Sequence, residues 1–536
     1  MSEGAAQTPP AKGLGKRTLE GITWTLVGQV GSNALRIAVL AILGRLLAPA
    51  EFGQVAAGLT VIALALALKN VGVGLALVQR REIDDGHVEA AFGFSLLFAL
   101  ALAGATFACA PLIADLYDIP ESASLLRALS VMFLLRGIAS TSSFLCQRDM
   151  SFRALATIDF AGYAAGSVTS VVLAFLGVGA WSLVIGYLVE AAIGSAALLY
   201  VRPPPLRFRI RWHSLRDLLG FGGGQTAAGI ANYFANQGDY VVVGRYLDAA
   251  ALGFYTRAYE LIRYPSLIFN NVFGTVFFSS FSKLQDDPDR LGVAFRRVLF
   301  VNAVLLLPAS AGVIVLAPEA IRLIMGPGWD TAVLPFQIMA VSMLFRTSYK
   351  AGGIVARSSG DVFRIASWQA VYAVVVVGGA LLTVRWGITG VSCTTALAVI
   401  IHFFALSRLA LRRISLGWGA LLAAHVPGLI AAGLAVAGAA PVAHLLRQHG
   451  ASAITVAVAG TVAGSIGPVG FFLLALRRGH PDWVWVWQTV RQLGGKKRRK
   501  AEKRARRLAE QAAAGEAGPG APGSATPGSD PGPRSD

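Results

Sequence analysis

The chain has 536 residues, 55% of them hydrophobic and only 14% charged, and its mean hydropathy is +0.60. Soluble globular domains carry about 25% charged residues, so an ordinary soluble enzyme is excluded. The 47 Lys and Arg against 29 Asp and Glu leave +18, of which residues 496–536, with 10 basic and 5 acidic side chains, explain only +5.

The apolar residues come in blocks about 20 long, enough for a helix to cross ~30 Å of hydrocarbon; the strands of a membrane β-barrel would be half that length and alternate. The sequence therefore reads as an all-α integral membrane protein. Lys12, Lys16 and Arg17 precede the first block, which runs from Ile22 to Leu47. That block is too long for the apolar core of a signal peptide and is expected to stay as the first span. Spans are expected at 22–47, 52–78, 88–113, 122–147, 152–176 and 180–201, then, after a basic stretch, at 218–247, 250–282, 292–317, 329–355, 362–384 and 388–411. A last pair at 418–446 and 452–476 brings the total to about 14. The expected organisation is a cytoplasmic segment (1–20), an N-lobe (21–201), a basic linker (202–217), a C-lobe (218–413), the final helix pair (414–478) and a tail (479–536).

Placing the N-terminus inside puts roughly 35 of the 47 basic residues, Lys350 among them, on the cytoplasmic side. Eight (Arg45, Arg127, Arg245, Arg257, Arg263, Arg322, Arg385, Arg447) fall toward the outside. Basic loops facing anionic lipid account for such a balance without nucleic acid. In the tail, Lys496–Arg507 carries nine basic charges against one acidic, which predicts attraction to an anionic membrane surface at about 1 kcal/mol per residue. The Gly/Ala/Pro/Ser segment beyond it lacks the apolar content to bury a core.

An internal repeat organises the chain. Gly44-Arg-Leu-Leu-Ala-Pro-Ala-Glu-Phe-Gly53 matches Gly244-Arg-Tyr-Leu-Asp-Ala-Ala-Ala-Leu-Gly253 at an offset of 200, and Val131–Arg136 matches Val341–Arg346 at 210. Each repeat holds six helices, an even number, so both insert with the same topology. Parallel repeats of this kind are related by an axis along the membrane normal and place a substrate site between them near the midplane. The final helix pair has no counterpart and reads either as a groove for a lipid or partner, or as a buttress.

Enzyme signatures are missing: there is no GxxxxGK[ST], HExxH or GxSxG. Gly222–Ala227 fits a loose dinucleotide pattern but opens a membrane helix, where its glycines serve close packing. Cys109, Cys146 and Cys393 show no metal or disulfide spacing. No metal or cofactor is expected, and His402 and His425 are expected to be hydrogen-bonded structural residues.

Charges inside spans are functional candidates, because a charge at the bilayer centre costs several kcal/mol. Arg36 shares a face of the first helix with Gln29 and Asn33 at helical spacing, Lys69 lies on the second, and Arg136 and Arg346 are repeat mates. Guanidinium forks suit phosphate, so Arg36, Arg136 and Arg346, with Lys69, Gln29 and Asn33, form a candidate site for a phosphate-bearing headgroup. The competing reading pairs each arginine with Glu190, Asp239 or a carbonyl as a structural tie. Glu190 and Asp239 are candidates for ion coupling or for those ion pairs.

The Gly44–Gly53 segment following a polar first helix resembles the polysaccharide-exporter branch of the multidrug/oligosaccharidyl-lipid/polysaccharide (MOP) superfamily. Lys69–Asp84 and Phe144–Arg153 are similar to that family's second helix with its loop and to its loop between helices 4 and 5. The resemblance covers about 20–410. It implies a Wzx-type flippase that moves polyprenyl-diphosphate-linked oligosaccharides across a bacterial inner membrane by alternating access of two lobes, for exopolysaccharide, capsule or lipopolysaccharide O-antigen assembly. It also implies a polymerase and chain-length machinery as partners, and termini in the cytoplasm. The alternatives are an organic-cation antiporter of the same superfamily and a membrane enzyme or scaffold of polysaccharide assembly.

Overall fold

Helix starts follow local chemistry. Asp84 accepts the amide of His87 at 2.8 Å in a reciprocal capping box, and Asp287 accepts that of Arg290 at 3.1 Å with Pro288 in the first turn. Both arrangements satisfy amides that have no partner within the helix. The computed structural model describes residues 31, 33–69, 73–80, 82–204, 223–264, 287–358 and 360–488. The N-terminal segment, Gln29, most of the basic linker and the tail from 489 lie outside the described residues.

The N-lobe comprises α1 (33–46), α2 (Pro49–Lys69), α3 (Val73–Gln79), α4 (Asp85–Tyr117), α5 (Ser122–Arg148), α6 (Phe152–Phe175) and α7 (Ala180–Val201). The C-lobe comprises α8 (Gly223–Tyr246), α9 (249–264), α10 (Pro288–Val315), α11 (Ala317–Met325), α12 (Val333–Val341), α13 (Met343–Ser358), α14 (Val362–Thr383) and α15 (Gly387–Leu411). Three further helices follow, α16 (Trp418–Ala423), α17 (Val426–Gln448) and α18 (Ala453–Arg477), and then a short helix at 481–488. Among the described residues every regular element is helical, and nine helical stretches are long and apolar enough to cross a membrane. Contacts divide the chain into a unit ending at Gly470 and a second beginning at Phe471, in which Trp483 is buried beside Phe471 and Phe472.

Of the expected spans, 22–47, 52–78, 218–247 and 250–282 lie only partly within the described residues. The one expected at 329–355 is interrupted. After a 3-10 turn at Asp330–Ala332, α12 ends at Val341, where Ser342 donates both its amide and its hydroxyl to the Met339 carbonyl and tightens the turn before α13.

Small residues let helices approach closely where no hydrophobic effect drives them together in lipid. In α6 and α7, a methyl on Gly186 would overlap the Ser170 hydroxyl, and one on Gly166 would lie 2.5 Å from the Gly186 carbonyl oxygen. The two copies of the repeat motif face each other at one end of the lobes, where α1 hands over to α2 and α8 to α9. There a methyl on Gly53 would overlap the Ala249 carbonyl, and a methyl on Gly253 would overlap the Pro49 carbonyl. Because Pro49 and Ala249 are themselves an offset of 200 apart, the contact is reciprocal, as a two-fold interface requires. Trp329 caps this end: its indole donates to the Gly44 carbonyl at 2.9 Å and sits edge-on between Phe52 and Phe254, one from each lobe. Arg45 reaches from the N-lobe to the Leu323 and Ile324 carbonyls at the C-terminal end of α11. Further from this end, α2 still packs on α8, with Tyr233 donating to the Thr60 carbonyl at 3.0 Å.

Helix α17 packs along α10 so closely that a methyl on Gly428 would lie 2.4 Å from the Ala303 carbonyl oxygen. Arg447 secures its far end with two bonds to Glu319 at 2.8 and 2.6 Å and one to the Val315 carbonyl at 2.8 Å. Burial pushes the Glu319 carboxyl up, but the Arg447 guanidinium outweighs it and holds the group below its ordinary range. A depressed carboxylate stabilises the fold above about pH 4.3 and loses that contribution as pH falls through the folded value. Arg447→Ala is therefore expected to cost about 1–2 kcal/mol at pH 7, below the figure for a fully buried pair because the guanidinium reaches water. Melting curves of the two proteins in detergent should converge as the pH is taken below about 4.

Candidate functional site

The site is built from α1, α5, α6, α7, α9 and α13. Arg36, half-buried on α1, lies over the Tyr163 ring of α6 at 4.1 Å from its centre. Asn33, one turn earlier, is buried. Arg136 on α5 stands 3.9 Å from the Glu190 carboxylate of α7, an ion pair without a hydrogen bond. Asp159 on α6 lies within electrostatic reach of both Arg136 and Arg36. Lys69 ends α2, and its side chain lies outside the described set.

Helix α9 supplies residues that the sequence reading left out of the candidate site. Arg257, expected toward the outside with Arg263, sits two turns into α9. It is paired with Glu260, with its guanidinium 5.0 Å from the centre of the Phe52 ring. The carboxylate and the ring compensate a buried cation that would otherwise be costly. Tyr264 donates to the other oxygen of Glu260 at 2.8 Å. Arg257, Glu260 and Arg263 recur every three residues, the spacing of one helix face and the signal that identifies them as a group.

In the C-lobe, Arg346 is buried and donates to the Tyr259 hydroxyl, its guanidinium 4.5 Å from the centre of that ring. Its repeat mate Arg136 has a carboxylate; Arg346 has none, because the position equivalent to Glu190 is Ile400. Asp239 is fully engaged elsewhere, accepting from Tyr255 at 2.7 Å and Thr395 at 3.1 Å, and reaches Arg346 only through its field. Lys350 lies in the combined field of Arg346 and Arg263. Among the described residues, Arg263, Arg346 and Lys350 have no carboxylate within ion-pair distance.

Of the structural ties expected for the arginines, Arg136 has its acidic partner, whereas Arg36 and Arg346 have aromatic ones. His425 bonds the Leu421 carbonyl at 2.8 Å as expected. His402 does not match its expectation. It is stacked on Tyr372 at 4.6 Å and edge-on to Tyr349 at 4.9 Å, and neither ring nitrogen has a hydrogen-bond partner among the described residues.

The sequence and the fold match known proteins. The sequence profile described as "Polysaccharide biosynthesis protein" covers residues 42–334. The chain belongs to this family. It is 28% identical over 338 residues to the lipopolysaccharide biosynthesis protein WzxC of Escherichia coli K12, covering 62% of this chain and 68% of that protein. It is 30% identical over 327 residues to the succinoglycan biosynthesis transport protein ExoT of Rhizobium meliloti 1021, covering 61% and 66%. Among solved structures, the lipid II flippase MurJ in an inward closed conformation superposes with a TM-score of 0.69 at 16% identity, over 85% of this chain and 99% of that one. An inward-facing multidrug resistance MATE transporter of the MOP superfamily gives 0.58 at 16% identity, over 73% and 98%. The fold is that of the MOP superfamily, and this member of the polysaccharide biosynthesis family is a multi-pass membrane protein.

Proposed function

We propose that the chain flips a polyprenyl-diphosphate-linked oligosaccharide across the bacterial inner membrane by alternating access of its two lobes, as a transporter with no catalytic step. The balance of charge in the belt carries this reading. Six cations (Arg36, Arg136, Arg257, Arg263, Arg346, Lys350) meet four carboxylates (Asp159, Glu190, Asp239, Glu260) among the described residues. The surplus of two positive charges matches the two negative charges of a diphosphate diester. An organic-cation antiporter would call for the opposite sign, and the most buried acid, Asp239, is already bound to two hydroxyls. The diphosphate is assigned to Arg263, Arg346 and Lys350, the cations without a carboxylate. Arg36 and Arg136, with Asn33, Gln29 and Lys69, shape the remainder of the polar path. In this reading the lobes divide at the linker 202–217, the end capped by Trp329 faces the periplasm, and both termini lie in the cytoplasm. The basic run Lys496–Arg507 rests on anionic lipid. A polysaccharide polymerase and its chain-length machinery take over the product.

Reconstitution into proteoliposomes with a polyprenyl-diphosphate-linked oligosaccharide tests the proposal. Arg346→Ala and Arg263→Ala are each expected to slow translocation about tenfold, the factor set by about 1.4 kcal/mol of lost anion binding. Arg346→Lys should keep part of the rate, since the charge remains while the planar fork is lost. An unchanged rate in the double alanine variant overturns the phosphate assignment. Failure of the unaltered protein to move this lipid overturns the flippase reading.

A further inference from the structure

The belt divides into two chemically distinct ends. At one end, a pocket between α1, α6, α7 and α9 is lined by Arg36, Tyr163, Ser167, Tyr187, Glu190 and Glu260, and encloses about 550 Å³ including its mouth.

The hydrogen-bonding capacity of this pocket is largely unspent. Arg36 makes no hydrogen bond to a described residue; its contact with Tyr163 fixes the plane of the guanidinium and leaves the donors available. Glu190 has only the loose 3.9 Å pair with Arg136, so its oxygens can still accept. Glu260, in contrast, is occupied by Arg257 and Tyr264. The charges lining the pocket cancel, since Arg36 and Arg257 face Glu190 and Glu260. What remains is one donor fork, one accepting carboxylate and hydroxyls that serve either way. An anion entering here would meet two carboxylates, and an apolar group would leave Arg36 and Glu190 buried without partners. Neighbouring hydroxyls on an uncharged ring satisfy both: each accepts from a guanidinium and donates to a carboxylate.

We infer that this pocket is the subsite for an uncharged sugar ring of the lipid-linked oligosaccharide, with Arg36 and Glu190 reading its hydroxyls while Arg263, Arg346 and Lys350 hold the diphosphate. The inference rests on the function proposed above and adds a division of labour and a selectivity for neutral sugar next to the phosphate. A site built to hydrogen-bond a hydroxyl discriminates strongly against a ligand that lacks it, because its own polar groups are then left unpaired.

The test is equilibrium binding to the full chain in lipid nanodiscs with three probes: undecaprenyl diphosphate, the same lipid carrying one neutral hexose, and the same lipid carrying one hexuronic acid. The unaltered protein should bind the hexosyl lipid about tenfold more tightly than the sugar-free one, and should gain little from the uronic acid. Arg36→Gln and Glu190→Gln should abolish that gain, and the binding of undecaprenyl diphosphate that each variant retains shows that it is folded. Arg346→Gln should weaken all three probes together. Equal loss of the sugar-free lipid in Arg36→Gln would make the pocket an anion site and overturn the inference, as would an undiminished hexose gain in both pocket variants or tightest binding of the uronic acid. If Arg346→Gln changes nothing while the hexose gain still maps to Arg36 and Glu190, the phosphate assignment fails and the sugar subsite stands.

Discussion

Alanine at Gly53 or Gly253 is expected to hold the capped ends of the two lobes apart and to cut transport by at least about fivefold. The added methyl falls on the backbone carbonyl of Ala249 in one case and of Pro49 in the other, so no side chain can swing aside to make room. Overpacking of this kind costs about 1–3 kcal/mol, and here the cost applies only to the state in which the lobes meet. A penalty on one of two states shifts their ratio by about 5- to 150-fold without any change at the binding site. The double variant should exceed either single one by less than the product of the two effects, because both act on the same interface. Gly433→Ala is the control: nothing lies within 4 Å of a methyl there, and transport should be unchanged. Labelling supplies the structural readout. With Cys109, Cys146 and Cys393 replaced, a cysteine at Ser170 in the pocket should react faster with an impermeant thiol reagent added from the capped side when Gly53 or Gly253 is alanine. Unchanged transport together with unchanged labelling would mean that this contact does not form in the working cycle.

The same glycines show how much of the fold was legible in the sequence. Matching Gly44–Gly53 with Gly244–Gly253 identified two copies of one unit. Their reciprocal contact follows because a two-fold arrangement brings equivalent positions of the two copies together. Apolar block length was enough to locate most helices, because in lipid a spanning segment must satisfy its own backbone. The interruption at Ser342 was not legible, since a serine in an apolar run does not declare whether its hydroxyl will bond back to its own helix. Among the candidate residues, the sequence offered Glu190 as a partner for an arginine and Arg136 pairs with it, whereas the aromatic partners of Arg36 and Arg346 were not foreseeable from spacing. Arg346 and Asp239 take tyrosine hydroxyls from α9 instead of each other. Counting residues from the end of a span put Arg257 and Arg263 toward the outside and left them out of the candidate site, because the count treats a charge near a helix end as solvated. A carboxylate one turn away and an aromatic face across the lobe boundary instead let Arg257 remain inside.

Trp329→Ala is expected to lower stability by about 3–5 kcal/mol, the range for removing a buried tryptophan and a larger loss than that of the Arg447 side chain. Trp329 is among the largest fully buried side chains; it joins the lobes through a hydrogen bond to Gly44 and an edge contact to Phe52 at 5.4 Å between ring centres, and it packs edge-on against Phe254 of its own lobe at 5.5 Å. In the proposed cycle these contacts close one end of the transport path, so the loss is expected to fall on the closed state as well as on the fold. Trp329→Phe separates the two. Phenylalanine retains most of the packing but no indole donor, leaving the Gly44 carbonyl without that partner, at a cost of about 1–3 kcal/mol. Melting in detergent should therefore order the proteins as unaltered, Trp329→Phe, Trp329→Ala. The same order in pocket labelling from the capped side would mark Trp329 as part of the seal. If Trp329→Ala melts early while labelling stays at the unaltered level, the tryptophan supports the fold and the Gly53–Gly253 contact closes the path without it.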